Sequence, residues 1–296
     1  MTTATSATCR TVLITGCSSG IGAALAQEFH ARGHKVITTA RRIDSLQPHV
    51  AQGMAAVALD VNDPASIAAA VAIVQSSHGH IDILINNAGY GQFGAMMDLK
   101  SEDLRAQFET NVIAPVAVTQ AFLPLLRKAA GANTNAINKP CIANVGSISG
   151  LVTTPFSGVY CASKAALHAL SDAMRMELAP FGIGVVTIQP GAIASNFGNA
   201  GQEHVRLPAT SLYQPIAKFI EGRANMSQRG ATPSDAFARD VVNHLLQQDP
   251  APICKHGAQS TRLPLFKRLL PMRVLDRKMQ KLFGLDRLNK NCSSCQ

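Results

Sequence analysis

The chain lacks any uninterrupted apolar run of the roughly 18 to 20 residues that a membrane-spanning helix needs. Its first ten residues are rich in threonine, alanine and serine and lack the apolar segment of an export signal. The sequence therefore predicts neither a transmembrane segment nor a secreted protein. The expected location is the cytoplasm.

Disulfide bonds and metal sites are not expected from the cysteine and histidine content. The seven cysteines are an odd number in a long chain, unlike the disulfide framework of a small secreted protein. Cys292 and Cys295 form a lone Cys-x-x-Cys without a second pair or a neighbouring histidine, so a solvated, reduced tail is favoured over a redox or zinc site. The nine histidines show no metal-ligand spacing. No metal ion is therefore predicted.

Acidic residues are few, 18 against 27 basic ones, and the imbalance is local. Residues 255–290 contain ten Lys and Arg against two Asp and Glu, which is +8 of the net charge of +9. There Leu275, Met279, Leu282 and Phe283 follow the spacing of an amphipathic helix with basic residues between them. This helix is expected to pack on the domain or a second subunit, or else to lie on an anionic membrane surface. Nucleic acid is not an expected partner, because no nucleic-acid-binding motif accompanies the charge.

The chain does contain a regular alternation of short apolar runs and helical patterns. Such an alternation is typical of βαβ units and of a parallel sheet with helices on both faces. The predicted fold is α/β, a doubly wound parallel sheet (Rossmann fold) in a single domain over residues 10–250, with a basic helical C-terminal extension over residues 251–296. Strands are predicted at residues 11–14, 35–39, 55–59, 81–85, 141–145 and 185–188, and helices at residues 22–32, 64–76, 101–130, 159–179 and 234–248.

A glycine-rich turn follows the first predicted strand and opens directly into a predicted helix. It reads Gly16-Cys17-Ser18-Ser19-Gly20-Ile21-Gly22. Glycines let the backbone turn tightly, and the free N–H groups of a helix N-terminus attract phosphate. The turn therefore predicts nucleotide binding rather than a purely structural role.

Tyr160 and Lys164 are spaced i, i+4, which places them on one face of a helix. A nearby ammonium favours the phenolate and lowers the pKa of a tyrosine, which suits a proton-transfer group. Ser147 precedes Tyr160 by thirteen residues.

Together these residues resemble the short-chain dehydrogenase/reductase family. The resemblance covers about residues 10–200, and the surroundings of Tyr160 look most similar to the branch of 17β-hydroxysteroid and retinol dehydrogenases. The motifs follow in the family's order: the glycine turn, Asp60-Val61, Asn86-Asn87-Ala88-Gly89, Asn111, Ser147, Tyr160, Lys164 and Pro190-Gly191.

The resemblance implies that Tyr160 is the acid/base for hydride transfer between a nicotinamide and a carbinol carbon. Lys164 would lower the pKa of Tyr160 and contact the nicotinamide ribose. Ser147 would bind the substrate oxygen together with Tyr160. Asn111 would maintain a helix distortion and a water that relays protons. The implied catalytic residues are thus Asn111, Ser147, Tyr160 and Lys164.

The resemblance also implies a series of cofactor contacts along the strand ends. Ala40 stands where an NAD-binding protein usually has an acid, and Arg41 can bind the 2′-phosphate of NADP bidentately. NADP is therefore the expected cofactor, and NAD stays open because Asp44 is near. The implied contacts are Gly16, Ser18, Ser19, Gly20, Ile21, Gly22, Arg41, Asp60, Val61, Asn87, Ala88, Gly89, Tyr160, Lys164, Pro190, Gly191, Ile193 and Ser195.

The expected function is an NADP(H)-dependent oxidoreductase that interconverts an alcohol and its ketone or aldehyde. An apolar, steroid-, retinoid- or lipid-like substrate is favoured, and residues 196–229 are predicted to form a lid over it rather than an ordinary insertion. Relatives commonly pair through the helices that here carry Asn111 and Tyr160, so a homo-oligomer is expected. A dinucleotide-binding sensor or regulatory protein with little turnover is the alternative. Gly94, Leu151, Val152, Phe156 and Phe197 belong either to the substrate pocket or to the core.

Overall fold

The computed structural model of the chain describes residues 9–132, 139–228 and 230–288. The strands are β1 (Thr11–Ile14), β2 (Lys35–Ala40), β3 (Ala55–Ala58), β4 (Ile83–Asn86), β5 (Phe93–Gly94), β6 (Cys141–Val145), β7 (Gly184–Pro190), β8 (Val205–Arg206) and β9 (Ile253–His256). The α-helices are α1 (Gly20–Ala31), α2 (Gln47–Val50), α3 (Pro64–His78), α4 (Ser101–Phe108), α5 (Ala114–Ala132), α6 (Gly158–Leu178), α7 (Phe197–Gln202), α8 (Ala217–Glu221), α9 (Ser234–Leu245), α10 (Arg262–Leu269) and α11 (Met272–Leu282).

The predicted doubly wound parallel sheet is confirmed. Among the described residues, seven strands form one sheet in the order β3-β2-β1-β4-β6-β7-β9, and every pairing in it is parallel. Alternate side chains of one strand enter opposite cores, because successive residues of a strand point to opposite faces. Ile14 packs in the core that α1 and α9 cover, whereas Leu13 packs in the core that α3 and α5 cover.

The structure adds a strand that the sequence analysis placed inside the C-terminal extension. Strand β9 pairs with β7 and forms an edge of the sheet. The expected boundary at residue 250 therefore falls before the last strand, and the chain leaves the sheet only after His256. This strand reads Ile253-Cys254-Lys255-His256. It was not predicted, because its polar residues resemble the basic segment that follows.

The long helix predicted at residues 101–130 is interrupted by a π-helical turn at Glu109–Ile113, between α4 and α5. By length and composition, the continuous helical stretch Ser101–Gly131 could cross a membrane, but half of its most apolar window is buried. Phe122 and Leu126 of α5 lie in the core against the sheet. This burial is typical of a core helix.

The C-terminal extension packs on the domain, which was the favoured expectation. Phe283 is fully buried in a small core with Ile216, Ile220 and Phe156, and Met279 of α11 packs against the same cluster. The opposite surface of α10 and α11 leaves several large apolar side chains exposed. Cys292 and Cys295 lie outside the described residues.

Candidate active site

The glycine-rich turn joins β1 to α1 and presents the N-terminus of the helix. Gly16 and Gly20 have φ angles of +73° and +63°, in the left-handed region that favours glycine. Ser19 precedes α1, and its side chain makes no capping hydrogen bond. The turn can therefore offer N–H groups and the positive end of the helix dipole to a phosphate. The predicted contacts Gly16, Ser18, Ser19, Gly20, Ile21 and Gly22 all lie here.

Thr15 and Asn87 tie this turn to the segment that follows β4. Asn87 Nδ2 donates to the carbonyl oxygens of Thr15 and Gly16 at 2.8 and 3.0 Å. Thr15 Oγ1 accepts from the backbone N–H groups of Asn87 and Ala88, both at 2.9 Å. Residues 87–89 are thereby held beside the turn. Thr15 is not among the predicted site residues, because a threonine at a strand end has no distinctive spacing.

Tyr160 and Ser147 meet beyond the carboxyl end of β6. The Oγ of Ser147 accepts from the N–H of Ser149 at 3.0 Å, which orients the hydroxyl. Tyr160 lies in the first turn of α6, and the Ser147 hydroxyl is near enough to the phenol to lower its pKa against the effect of burial. Both residues are 8% exposed. The predicted pair is thus assembled and largely shielded from water.

Burial raises the pKa of Tyr160 to about 12, although the hydroxyl of Ser147 and the charge of Arg223 act in the opposite direction. Lys164 was expected to lower this pKa, whereas the net shift in the structure is upward. The Nζ of Lys164 lies 6.0 Å from the centre of the Tyr160 ring and donates to the carbonyl oxygen of Val145 at 2.8 Å. Desolvation of the phenol dominates, so Tyr160 keeps its proton at neutral pH in this structure.

Asn111 lies in the π-helical turn Glu109–Ile113, so the predicted helix distortion is present. Its Nδ2 donates to the carbonyl oxygen of Tyr90 at 3.0 Å, and its Oδ1 accepts from the N–H of the same residue at 3.2 Å. A Cβ on Gly89 would lie 2.9 Å from Asn111 Oδ1 and 3.8 Å from Lys164 Nζ. The absence of a side chain at Gly89 lets the predicted cofactor segment approach two of the predicted catalytic residues.

The ends of β2 and β3 supply the residues predicted near the adenosine. Buried Ala40 ends β2, and the exposed side chain of Arg41 follows it. Asp60 lies beyond the end of β3, where its Oδ1 accepts from the N–H of Asn62 at 3.0 Å, and Val61 beside it is half-buried. Arg41 is thus the first charged residue after β2 along the chain.

The segment after β7 supplies the last predicted contacts. Pro190 ends β7, and the N–H of Gly191 donates to the carbonyl oxygen of His256 at 2.9 Å. Ile193 is buried, and a Cβ on Gly20 would lie 3.3 Å from the Cβ of Ser195. The predicted cofactor residues thus lie at the carboxyl ends of the parallel strands, where doubly wound sheets bind their ligands.

Aromatic rings surround Tyr160. The ring centre of Phe197 lies 5.5 Å from that of Tyr160, so the predicted lid begins next to the site. Its described part, residues 196–228, is here called the lid segment, and residue 229 lies outside the described residues. The ring centre of Phe93 lies 6.2 Å from that of Tyr160. Phe93 was not predicted, because it follows the Asn86-Asn87-Ala88-Gly89 stretch without a pattern of its own.

Arg223 of the lid segment is a second residue that the sequence analysis missed. Its guanidinium lies 5.4 Å from the centre of the Phe93 ring and 5.8 Å from that of Phe283. Its Nη2 donates to Thr154 Oγ1 at 2.8 Å and to Ser157 Oγ at 3.0 Å. Burial lowers the pKa of Arg223, and the ion pairs of the described residues include none between Arg223 and a carboxylate. A single arginine in an irregular segment has no pattern that would predict its burial.

Comparison with known proteins agrees with this geometry. The profile of the family described as short chain dehydrogenase matches residues 10–205. Short-chain dehydrogenase cctT of Talaromyces islandicus is 33% identical over 94% of this chain and 97% of its own length. The NADPH-dependent 1-acyldihydroxyacetone phosphate reductase of Schizosaccharomyces pombe is 34% identical over 75% of this chain and 73% of its own. The crystal structure of a short-chain dehydrogenase from Streptomyces avermitilis superposes with a TM-score of 0.74 at 28% identity, covering 96% of this chain and 98% of that one.

Proposed function

Because the chain belongs to the short-chain dehydrogenase family, we propose that it uses NADP(H) to interconvert an alcohol and its ketone or aldehyde, with Tyr160 as the acid/base. The observation that carries this proposal is the shielded placement of Tyr160 beside Ser147, whose hydroxyl acts on the Tyr160 phenol. The pair lies at the same edge of the sheet as the glycine-rich turn, so a nicotinamide cofactor and a substrate oxygen can be held side by side.

In the direction of reduction, each residue of the site has a separate role. Bound NADPH supplies the hydride. Tyr160 donates its hydroxyl proton to the carbonyl oxygen, and Ser147 donates a hydrogen bond to the same oxygen. The raised pKa of Tyr160, about 12, keeps the phenol in the protonated form that this step requires. Lys164, whose pKa is lowered by burial to about 8, can release a proton near neutral pH and so help to restore the phenol.

NADP is favoured over NAD by the end of β2. A 2′-phosphate there would meet the exposed guanidinium of Arg41, and Ala40 offers no carboxylate to repel it. The relative from Schizosaccharomyces pombe is named as NADPH-dependent, which supports the same choice. Asp44 follows in the next turn, and for that reason NADH is included in every binding test.

An apolar substrate, steroid-, retinoid- or lipid-like, is favoured by the rings of Phe93 and Phe197 around Tyr160. The resemblance to the branch of 17β-hydroxysteroid and retinol dehydrogenases points the same way. The lid segment, which brings Phe197 to Tyr160, would close over such a molecule and exclude water from the reacting groups.

The decisive experiment measures NADPH oxidation by the purified protein with a panel of steroid, retinoid and long-chain ketones and aldehydes. Tyr160→Phe should lower turnover by about 10²- to 10⁴-fold, which is the usual contribution of general acid–base catalysis, and should leave NADPH affinity largely unchanged. Tyr213→Phe is the matched control, because it removes a hydroxyl that takes no part in the proposed step. NADPH binding without turnover of any substrate would favour the sensor or regulatory alternative.

We place the protein in the cytoplasm, with reversible contact to anionic membranes through α10 and α11. Leu265, Phe266, Leu269 and Met272 expose apolar side chains there, next to a run of Lys and Arg residues, a combination typical of peripheral membrane helices. Flotation with phosphatidylserine vesicles should recover the wild type and lose the Leu269→Ser/Met272→Ser double variant. Equal recovery of both proteins, or of neither, would contradict the membrane contact.

A homo-oligomer is supported by α6, which leaves the apolar side chains of Leu170 and Met176 exposed, and by exposed Ile113 in the π-helical turn just before α5. Light scattering of the purified protein tests this part. A Leu170→Glu/Met176→Glu variant should shift the mass towards the monomer if these helices form the interface. A monomeric wild type would contradict it.

A further inference from the structure

Three potential metal ligands converge where α9 packs against β9, although no motif marks them in the sequence. His244 lies in the last turn of α9, and Cys254 and His256 lie on β9. The residues of the strand are two apart, so their side chains point to the same face of the sheet. One ligand atom from each of the three residues lies within 4.8 Å of the other two.

Each imidazole has an oxygen atom near one of its ring nitrogens. His244 Nε2 lies 2.8 Å from the carbonyl oxygen of Ala251, and His256 Nδ1 lies 3.4 Å from Asp240 Oδ2. A neutral imidazole that donates from one nitrogen presents a lone pair on the other. This leaves His244 Nδ1 as an acceptor, and the carboxylate beside His256 Nδ1 favours the tautomer in which Nε2 is the acceptor. A carbonyl or carboxylate behind the histidine is the usual outer partner of a metal-binding imidazole.

We propose that His244, Cys254 and His256 form a zinc-binding site, with Asp240 holding the ring of His256 in place. Two imidazoles and one thiolate are a ligand set that Zn²⁺ prefers, and three protein ligands leave a fourth tetrahedral position for water. Both histidines are half-buried, whereas Cys254 is fully buried.

Binding of Zn²⁺ would displace the proton of the Cys254 thiol. Cys254 is a free, buried cysteine in the described structure. Zn²⁺ forms a bond to the sulfur, the S–H bond breaks, and the proton passes to solvent. No oxidant or reductant is required, because neither the sulfur nor the zinc changes oxidation state.

The site lies at an edge of the sheet that also supports the predicted cofactor segment. The carbonyl oxygen of His256 accepts from the N–H of Gly191, and that of Ala258 accepts from the N–H of Ala192, at 2.9 and 2.8 Å. A metal that joins α9 to β9 would therefore stabilise the strand beside which Gly191 is held. None of its ligands is a predicted catalytic residue, so the site is structural or regulatory.

The test uses Co²⁺, which occupies zinc sites and shows a thiolate-to-cobalt absorbance band. The full-length protein is used with Cys292→Ser and Cys295→Ser, so that the terminal cysteine pair cannot supply the thiolate. One equivalent of Co²⁺ should produce the band, and one equivalent of Zn²⁺ should remove it and raise the melting temperature. Asp240→Asn should weaken Co²⁺ binding by about 10- to 100-fold, as loss of an outer-sphere partner does.

His244→Ala, His256→Gln and Cys254→Ser should each abolish the band, whereas Cys9→Ser, which removes an exposed thiol, should not. The two histidine variants keep the test decisive if loss of the buried thiol prevents folding. Absence of the band, or a band that survives in both histidine variants, would overturn the proposal.

Discussion

The guanidinium of Arg223 lies 5.4 Å from the centre of the Phe93 ring, and that ring lies next to Tyr160. A buried cation of the lid segment is thus one aromatic ring away from the phenol. Its charge lowers the pKa of Tyr160, against the larger effect of burial. Among the described residues, no carboxylate forms an ion pair with Arg223, and a buried charge without such a partner costs stability. The same charge acts on the pKa of the group that transfers the proton in the proposed reaction.

Arg223→Gln should raise the pKa of Tyr160 further, because it removes the positive charge that favours phenolate. Alcohol oxidation requires the phenolate, so the rising limb of its pH–rate profile should move to higher pH. Arg223→Lys keeps a charge and should shift less. Lys218→Gln, which removes an exposed cation from α8, is the control. An unchanged profile in folded Arg223→Gln, or an equal shift in Lys218→Gln, would contradict the electrostatic role.

Because the pKa of Lys164 is lowered in the folded protein, the free energy of unfolding should increase as the pH rises above 8. Burial lowers the pKa of Lys164 from 10.5 to about 8, so between these values the folded protein binds fewer protons than the unfolded chain. The free energy of unfolding then increases with pH, by at most about 1.4 kcal/mol per pH unit for one group. Lys164→Met removes this contribution.

The measurement is urea unfolding of wild type and Lys164→Met between pH 7.5 and 10. The free energy of unfolding of the wild type, minus that of Lys164→Met, should increase steadily as the pH rises. Lys128→Met, at an exposed position of α5, should keep a constant difference from wild type. Parallel curves for Lys164→Met would show that this lysine is not desolvated.

Gly22→Ala should weaken NADPH binding by disturbing the contact between the turn and Asn87. A Cβ at this position would lie 2.5 Å from Asn87 Nδ2, the atom that donates to Thr15 and Gly16. Loss of a buried hydrogen bond costs about 1–3 kcal/mol, and a tenfold change in affinity corresponds to about 1.4 kcal/mol. Fluorescence titration should therefore show at least several-fold weaker binding. Gly131→Ala, with no atom within 4 Å of the added Cβ, should bind as wild type does.

Arg41→Ala should weaken NADPH binding and leave NADH binding unchanged, because only NADPH has the 2′-phosphate. A hydrogen bond to a charged group is worth about 1.5–3 kcal/mol, which corresponds to roughly a ten- to hundredfold loss of affinity. Side-by-side titration with both nucleotides measures the effect. Arg105→Ala, at an exposed position of α4, controls for net charge. Equal weakening for NADPH and NADH would mean that Arg41 does not select the phosphate.

Local patterns in the sequence were sufficient for the main elements. The bounds of β1 and β6 are those predicted, and seven further predictions of strands or helices differ from the structure by one or two residues at one or both ends. The glycine turn and Tyr160 with Lys164 were recognisable because each depends on residues that are close along the chain. The alternation of strand and helix then placed these motifs at one edge of a parallel sheet, since parallel strands must all end on the same side.

The tertiary structure decided what depends on residues far apart in the chain. Desolvation of Tyr160, which raises its pKa instead of lowering it, results from the packing of Phe93 and the lid segment around the phenol. The position of Arg223 and the convergence of His244 with Cys254 and His256 likewise arise only when separate elements pack together. Such contacts leave no spacing in the sequence, because side chains meet across the core through the arrangement of whole helices and strands rather than through local geometry.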